Sequence, residues 1–381
     1  MTHVRPATEP PAPDSDAVNP GAAVGALRAV HRAIAELRRG VPVVLAGGDP
    51  LALLAADTAS AGGLAEFDLL RAGPALLLLA GSRAAAWLPD ELEMSRAPVA
   101  LAVTEALFNP AALRTLADPT LEQILPEPPA LAGALPAAAP AALALTKLAR
   151  LLPAALVAPW RSGSPGTILS VDAADVLAYP VSLATQLHQV AEAAVPLAGA
   201  ENARIVAFRA PDAGIEHLAI LIGDPASQPA PLTRLHSECF TGDLLGSLRC
   251  DCGDQLRGAI ARMGQEGHGV LLYLAQEGRG IGLVNKLRAY AMQDRGLDTL
   301  DANRALGWGA DERRFLTAAA MLEALGIPAV RLLTNNPKKL EGLAACGITV
   351  VGREAHIFAP NGVNDGYLDT KAKRFGHLFN L

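Results

Sequence analysis

A chain of 381 residues is about twice the size of a typical single domain, so two domains are expected. Apolar residues make up 51% and aromatic ones only 4%, a surplus of Ala, Leu and Val that assembles a core readily and excludes disorder of the whole chain. The 38 acidic residues outnumber the 32 basic ones by six, so there is no electrostatic case for a nucleic-acid partner or an anionic membrane. Residues 1–20 are Pro-rich, lack the apolar segment of a secretory signal, and read as a flexible lead-in. An amphipathic helix is expected from Gly21 to about Arg39, followed by buried strands at VPVVLAG (41–47) and ALLLLAG (75–81). Further Ala/Leu-rich stretches, including 141–151, read as helices. The uncharged run 128–146 holds four prolines and is too Ala-weighted to span a membrane. A Gly/Ser/Pro-containing break falls at 160–167. The expected compartment is the cytoplasm.

After Ala200 the texture changes. Strands are expected at IVAFRA (205–210) and HLAILIG (217–223), joined as a hairpin, and then a helix from about Gln255 to Gln265. The strand GVLLYLA (269–275) leads through the glycine-rich EGRGIG (277–282) into a helix that reaches Asp294. A helix opening near Asp311, the strand VRLLT (330–334), the loop NNPKK and the strand ITVVG (348–352) complete an α/β pattern with substantial parallel pairing.

The densest polar stretch is RLHSECFTGDLLGSLRCDCGDQL (234–256). It contains three of the four cysteines, Cys239, Cys250 and Cys252, in a C-x10-C-x-C pattern. Three thiolates suit zinc and leave a fourth tetrahedral position open, where zinc can acidify a water. The alternative is a structural site whose fourth ligand is His236 or Cys346. In EGRGIGL the sixth position of a dinucleotide fingerprint is Leu283 rather than Gly, so the loop suits phosphate oxygens without being that fingerprint. In GADERRF, the plain reading is that Asp311 caps a helix while Arg313 and Arg314 face solvent. The segment LLTNNPKK brings Thr334, Asn335, Lys338 and Lys339 to a strand end, a place suited to an anionic ligand.

Together with the terminal YLDTKAKRFGHL, these motifs resemble GTP cyclohydrolase II in order and spacing over roughly residues 205–381. The resemblance implies a homodimeric α/β enzyme with a mixed sheet. The reaction it implies hydrolyses GTP to 2,5-diamino-6-ribosylamino-4(3H)-pyrimidinone 5′-phosphate, formate and pyrophosphate, the first step of riboflavin biosynthesis. It implies zinc on Cys239, Cys250 and Cys252, and Mg²⁺ with the triphosphate. It implies GTP contacts from Arg234, Leu235, His236, Ser237, Glu238, Gln255, Glu277, Gly278, Arg279, Thr299, Thr334 and Lys339. Catalytic roles fall to Asp311 as proton acceptor, Arg313 as nucleophile toward the α-phosphate, and Tyr290 near the metal. Arg313 in that role conflicts with a guanidinium pKa above about 12, and charge stabilisation suits it equally well.

Residues 21–200 resemble a degenerate 3,4-dihydroxy-2-butanone 4-phosphate synthase, an α+β domain, ahead of the cyclohydrolase region at 201–381. Where that family carries a run of acids, AGGDPLALLAAD keeps only Asp49 and Asp57. Its His-Thr-Glu motif would fall near 141–143, which supplies no titratable group. A divalent cation needs oxygen ligands, so this half is expected to be catalytically silent. The alternatives are a bifunctional enzyme with an active first half, or a non-catalytic GTP-binding regulator.

Overall fold

The computed structural model describes residues 20–88, 97–121, 124–163, 168–211 and 214–378; the expected lead-in at 1–20 lies almost wholly outside them. Thirteen strands among these residues form two mixed sheets. The first has six strands in the order β4-β3-β5-β2-β1-β6, where β1 is Val43–Ala46, β2 Leu51–Ala55, β3 Ala75–Ala80, β4 Pro98–Val103, β5 Ala154–Pro159 and β6 Ser170–Asp172. All its pairings are antiparallel except β1 with β6. Strands β2, β3 and β5 run through the middle as near-continuous Ala/Leu/Val segments, buried on both faces.

The second sheet has seven strands in the order β13-β12-β10-β11-β9-β8-β7. They are β7 His188–Ala194, β8 Ala203–Arg209, β9 Glu216–Ile222, β10 Leu232–Ser237, β11 Gly269–Leu274, β12 Ala329–Leu333 and β13 Thr349–Glu354. Strands β10 to β13 pair in parallel, while β7, β8 and β9 add to β11 as an antiparallel meander. Sheet membership therefore changes between Asp172 and His188, upstream of the change of texture at Ala200.

Two helices of the second half, Leu283–Asp294 and Thr299–Ala305, turn away from their own sheet. Ala289, Met292, Ala302 and Leu306 join Leu54, Phe67, Leu77, Leu156 and other residues of the first sheet in one apolar core. The two halves thus share buried surface, and the first helix lies between the first sheet and the loops at the end of the second.

Two expectations are corrected. The helix expected from Asp311 begins at Leu316, so Asp311 caps nothing and the 311–315 stretch is irregular. The expected loop NNPKK is the start of a helix, Pro337–Ala344: the Asn336 side chain accepts from the Lys338 amide, and Pro337 fills the first position, where an N–H has no partner to lose.

Candidate active site

The carboxyl ends of the parallel strands β10, β11 and β12 open onto one solvent-connected cleft. In open α/β sheets this edge is where ligands bind. Arg234 and His236 face the cleft, whereas Leu235 packs into the core on the opposite face. Only the Leu235 carbonyl is turned to use, as acceptor from Lys339 Nζ at 2.7 Å.

Cys239 follows the end of β10, a single π-type turn spans Phe240–Leu244, and Cys252 opens the helix Cys252–Glu266. That turn folds the chain back so that the sulfurs of Cys239, Cys250 and Cys252 all lie within 4.8 Å of one another. Gly242 makes the convergence possible. A Cβ there would sit 2.7 Å from Cys250 Sγ and 3.1 Å from Cys239 Sγ. Asp243 organises the turn, accepting from the Cys239 amide, from Tyr273 Oη and from His236 Nε2, each at 3.0 Å. Neither sequence candidate for a fourth ligand belongs to the cluster: His236 is held by Asp243, and Cys346 packs against the core beneath β12. Hydrogen bonds from the other two thiols, aided by the Lys286 ammonium, hold the Cys239 thiol far below its ordinary pKa; that thiolate pushes Cys250 up to about 11.

Lys286, one turn into its helix, reaches Cys239 Sγ at 3.1 Å and Glu277 Oε1 at 2.9 Å. Burial works against its charge, but the thiolate and the carboxylate outweigh it and the pKa rises. The other Glu277 oxygen accepts from the Phe240 amide at 2.6 Å. Glu277, expected to touch the substrate, thus has both oxygens engaged by the protein and ties the β11 loop to the cysteine turn. After it, Gly278 and Arg279 both take φ of +63°; a Cβ at Gly278 would lie 2.9 Å from Ile281 Cγ1. Arg279, unusual in that conformation, stands over the Phe375 ring at 4.0 Å with one terminal nitrogen buried and unpartnered.

The far wall is cationic. Arg234 donates to the Leu333 carbonyl at 2.9 Å and to Gln255, leaving its Nε buried without a partner. Arg313 donates from Nε to Asp311 at 2.8 Å. Burial opposes both charges there, and the pair overrides it, lowering the Asp311 pKa and raising that of Arg313. Lys339 is pushed well below its ordinary value by burial and by Arg234 and Arg313 nearby. Such a set of buried cations calls for an anion. Thr334 and Thr299 line the same cleft from the end of β12 and the start of the second shared helix, and Ser237, Glu238 and Tyr290 complete the rim. The Glu238 carboxyl has its pKa raised by burial and by Glu277.

Of the metal, substrate and catalytic residues that the resemblance implies, only Leu235 and Asp311 do not line the cleft. Sequence reasoning misses Lys286, Asn303, Tyr367 and Lys371, all of which line it. A signal for Lys286 exists: the chain has only six lysines, and five lie at or beyond it.

Comparisons with known proteins match the chain to one enzyme family. The family described as GTP cyclohydrolase II matches residues 188–355. A protein of Azospirillum brasilense named GTP cyclohydrolase-2 is 50% identical over 365 residues, covering 93% of this chain and 94% of that protein. A GTP cyclohydrolase-2 of Escherichia fergusonii is 52% identical over 193 residues, 51% of this chain and 97% of that protein. A solved two-domain 3,4-dihydroxy-2-butanone 4-phosphate synthase from A. baumannii aligns with 87% of this chain and 99% of its own at 17% identity, but its TM-score of 0.30 carries no argument about either half. An α/β enzyme with a cationic cleft at the carboxyl ends of its parallel strands is what the fold and site define. The chain belongs to the GTP cyclohydrolase II family.

Proposed function

We propose that this enzyme hydrolyses GTP with zinc held by Cys239, Cys250 and Cys252, releasing formate, pyrophosphate and the diamino-ribosylamino-pyrimidinone phosphate that opens riboflavin biosynthesis. The observation that carries the reading is the meeting of three convergent sulfurs with a wall of buried cations in one cleft. The residues fit the metal. The donor set is all thiol, no other His, Cys, Asp or Glu among the described residues joins it, and Gly242 leaves it the room. When bound, zinc supplies an activated water next to the purine ring.

The chain's own residues do the rest. Lys286 stabilises the thiolate of Cys239, and so lowers the cost of holding three sulfur charges together. Arg234, Arg279, Arg313, Lys339 and Lys371 line the cleft and neutralise the triphosphate, with Mg²⁺ accompanying the nucleotide. Arg313 does this as a permanent cation. Paired with Asp311 its guanidinium is harder to deprotonate than a free one, which favours charge stabilisation of the leaving pyrophosphate over nucleophilic attack. Glu238, whose pKa is raised by burial and by Glu277, and the half-buried Tyr290 hydroxyl are the groups placed to move protons as formate is released. Residues 21–200 are read as a silent relative of the butanone-phosphate synthase. Asp57 is taken up by Arg288, Asp49 lies exposed in a turn, and 141–143 are buried apolar residues. Purified protein incubated with GTP and Mg²⁺ tests the reading. Formate and pyrophosphate released in equal amounts are expected; pyrophosphate without formate would contradict ring opening.

A further inference from the structure

The loop that presents Gly278 and Arg279 to the cleft is held at both ends by a residue of the other half of the chain. Arg150 lies just beyond the helix Ala139–Leu148, which packs on the first sheet. Its guanidinium donates to the Ala275 carbonyl at 2.8 Å, where β11 passes into the loop. Its own carbonyl accepts from Asn285 Nδ2 at 3.0 Å, where the loop passes into the following helix. Between these two anchors its stem packs on Gly282, so closely that a Cβ there would lie 3.1 Å from Arg150 Cβ. Arg150 has φ of +58°, and among the described residues the only other non-glycine with positive φ is Arg279, inside the loop it holds. A side chain stays in that region only where its surroundings over-determine it.

A second strut comes from the same helix. Lys147 Nζ donates to Glu312 Oε1 at 2.8 Å. The Glu312 amide in turn donates to the Arg279 carbonyl at 3.1 Å, and Glu312 Oε1 also accepts from the Gly309 amide at 2.7 Å. The helix end at 147–150 thus braces both loops that supply cationic side chains to the cleft, 276–282 and 309–314. Neither Lys147 nor Arg150 lines the cleft itself.

We propose that Arg150, supported by Lys147, is a positioning residue for the cyclohydrolase site: the N-terminal half, silent in its own right, pre-orders the loop that receives the phosphates of GTP. The inference rests on the proposed GTP reading for its substrate, and on the inter-domain geometry alone for its mechanism. A loop that must be ordered at the expense of nucleotide binding weakens apparent affinity by the fraction of time it is competent. Arg150→Met keeps the stem on Gly282 and removes the donor. The expected result is a KM for GTP raised roughly 10-fold with kcat little changed, because binding energy removed equally from the ground and transition states shows up in KM. Arg150→Lys, which still carries a donor for the Ala275 carbonyl, restores part of the affinity. Ser82→Ala, which removes another bond between the halves, Ser82 Oγ to the Arg304 carbonyl at 2.9 Å, leaves KM unchanged.

A merely structural role gives a different signature. Partial unfolding lowers the active fraction, and so the apparent kcat, with KM unmoved; that result would overturn the proposal. Amide hydrogen exchange over 276–282 supplies a second readout that does not depend on turnover. Faster exchange in Arg150→Met than in the wild type and in Ser82→Ala is expected, and identical exchange contradicts the proposal. Should the wild type release no formate from GTP, the functional reading fails, while the exchange comparison still decides whether Arg150 orders the loop.

Discussion

Gly242 shows how one missing Cβ shapes the cluster, because the cysteine sulfurs crowd the space that a methyl group would need. Gly242→Ala is therefore expected to lower zinc affinity by about 10- to 100-fold, the range seen when groups around a metal site are disturbed. Competition with a chromophoric chelator measures it, and unchanged affinity would show that the turn yields freely. His217 illustrates the opposite constraint, a buried side chain that must stay neutral. Burial, with Arg150 nearby, lowers its pKa from 6.5 to about 4, and its Nδ1 accepts from the Ala275 amide. The unfolded chain thus binds a proton that the folded chain refuses. The sign follows: stability is fully present above about pH 6.5 and falls as the pH drops toward 4, by on the order of 3 kcal/mol for a shift of this size. Urea unfolding between pH 7 and 4 tests this, and His217→Gln should flatten the slope. Equal slopes in the two proteins would place the acid sensitivity elsewhere, with His356, also lowered to about 4, as the next candidate.

The helix Leu283–Asp294 explains why the two halves cannot be treated apart. Lys286, Tyr290 and Gln293, at helical spacing, face the cleft. Asn285, Arg288, Ala289 and Met292 face the first half. Arg288 is gripped by Asp57 through two bonds, at 2.6 and 3.0 Å, and by Asp118 at 2.8 Å. Arg288→Ala would strand two largely buried carboxylates, so a loss of about 3–5 kcal/mol in denaturant stability is expected. A loss under about 1 kcal/mol would mean that the pair behaves as a surface bridge. Elements of this kind also mark the limit of what the chain discloses before folding. The three cysteines are legible because the turn gathering them is local, fourteen positions from first to last. Tyr367 and Lys371 are not legible as cleft residues, since only docking of the helix Asp365–Phe375 brings them there. Glu277 is legible as a site residue but not in its role, because Phe240 and Lys286 reach it from separate segments. Strands β2 and β5 escape a sequence reading: they are short Ala-rich apolar runs, which periodicity alone does not tell from a buried helix segment.

At the scale of the whole molecule, the proposed chemistry lies in one half and the proposed brace in the other. No helix among the described residues is long and apolar enough to cross a membrane. The first half contributes a shared core, the Asp57/Asp118 clamp and the Arg150 strut, and its remaining acids form no metal-type cluster among the described residues. Intact protein given ribulose 5-phosphate and Mg²⁺ should therefore form no butanone phosphate, and any enzymatic formation of it would restore a second activity to the first half. Metal content and turnover, read on the same preparations, decide whether the three thiols carry the chemistry. Wild-type protein should hold one zinc per chain and release formate from GTP. Cys250→Ser should lose the metal and formate release together while keeping its far-UV circular dichroism. A folded, zinc-free Cys250→Ser protein that still released formate at the wild-type rate would contradict a ring opening driven from the cysteine cluster.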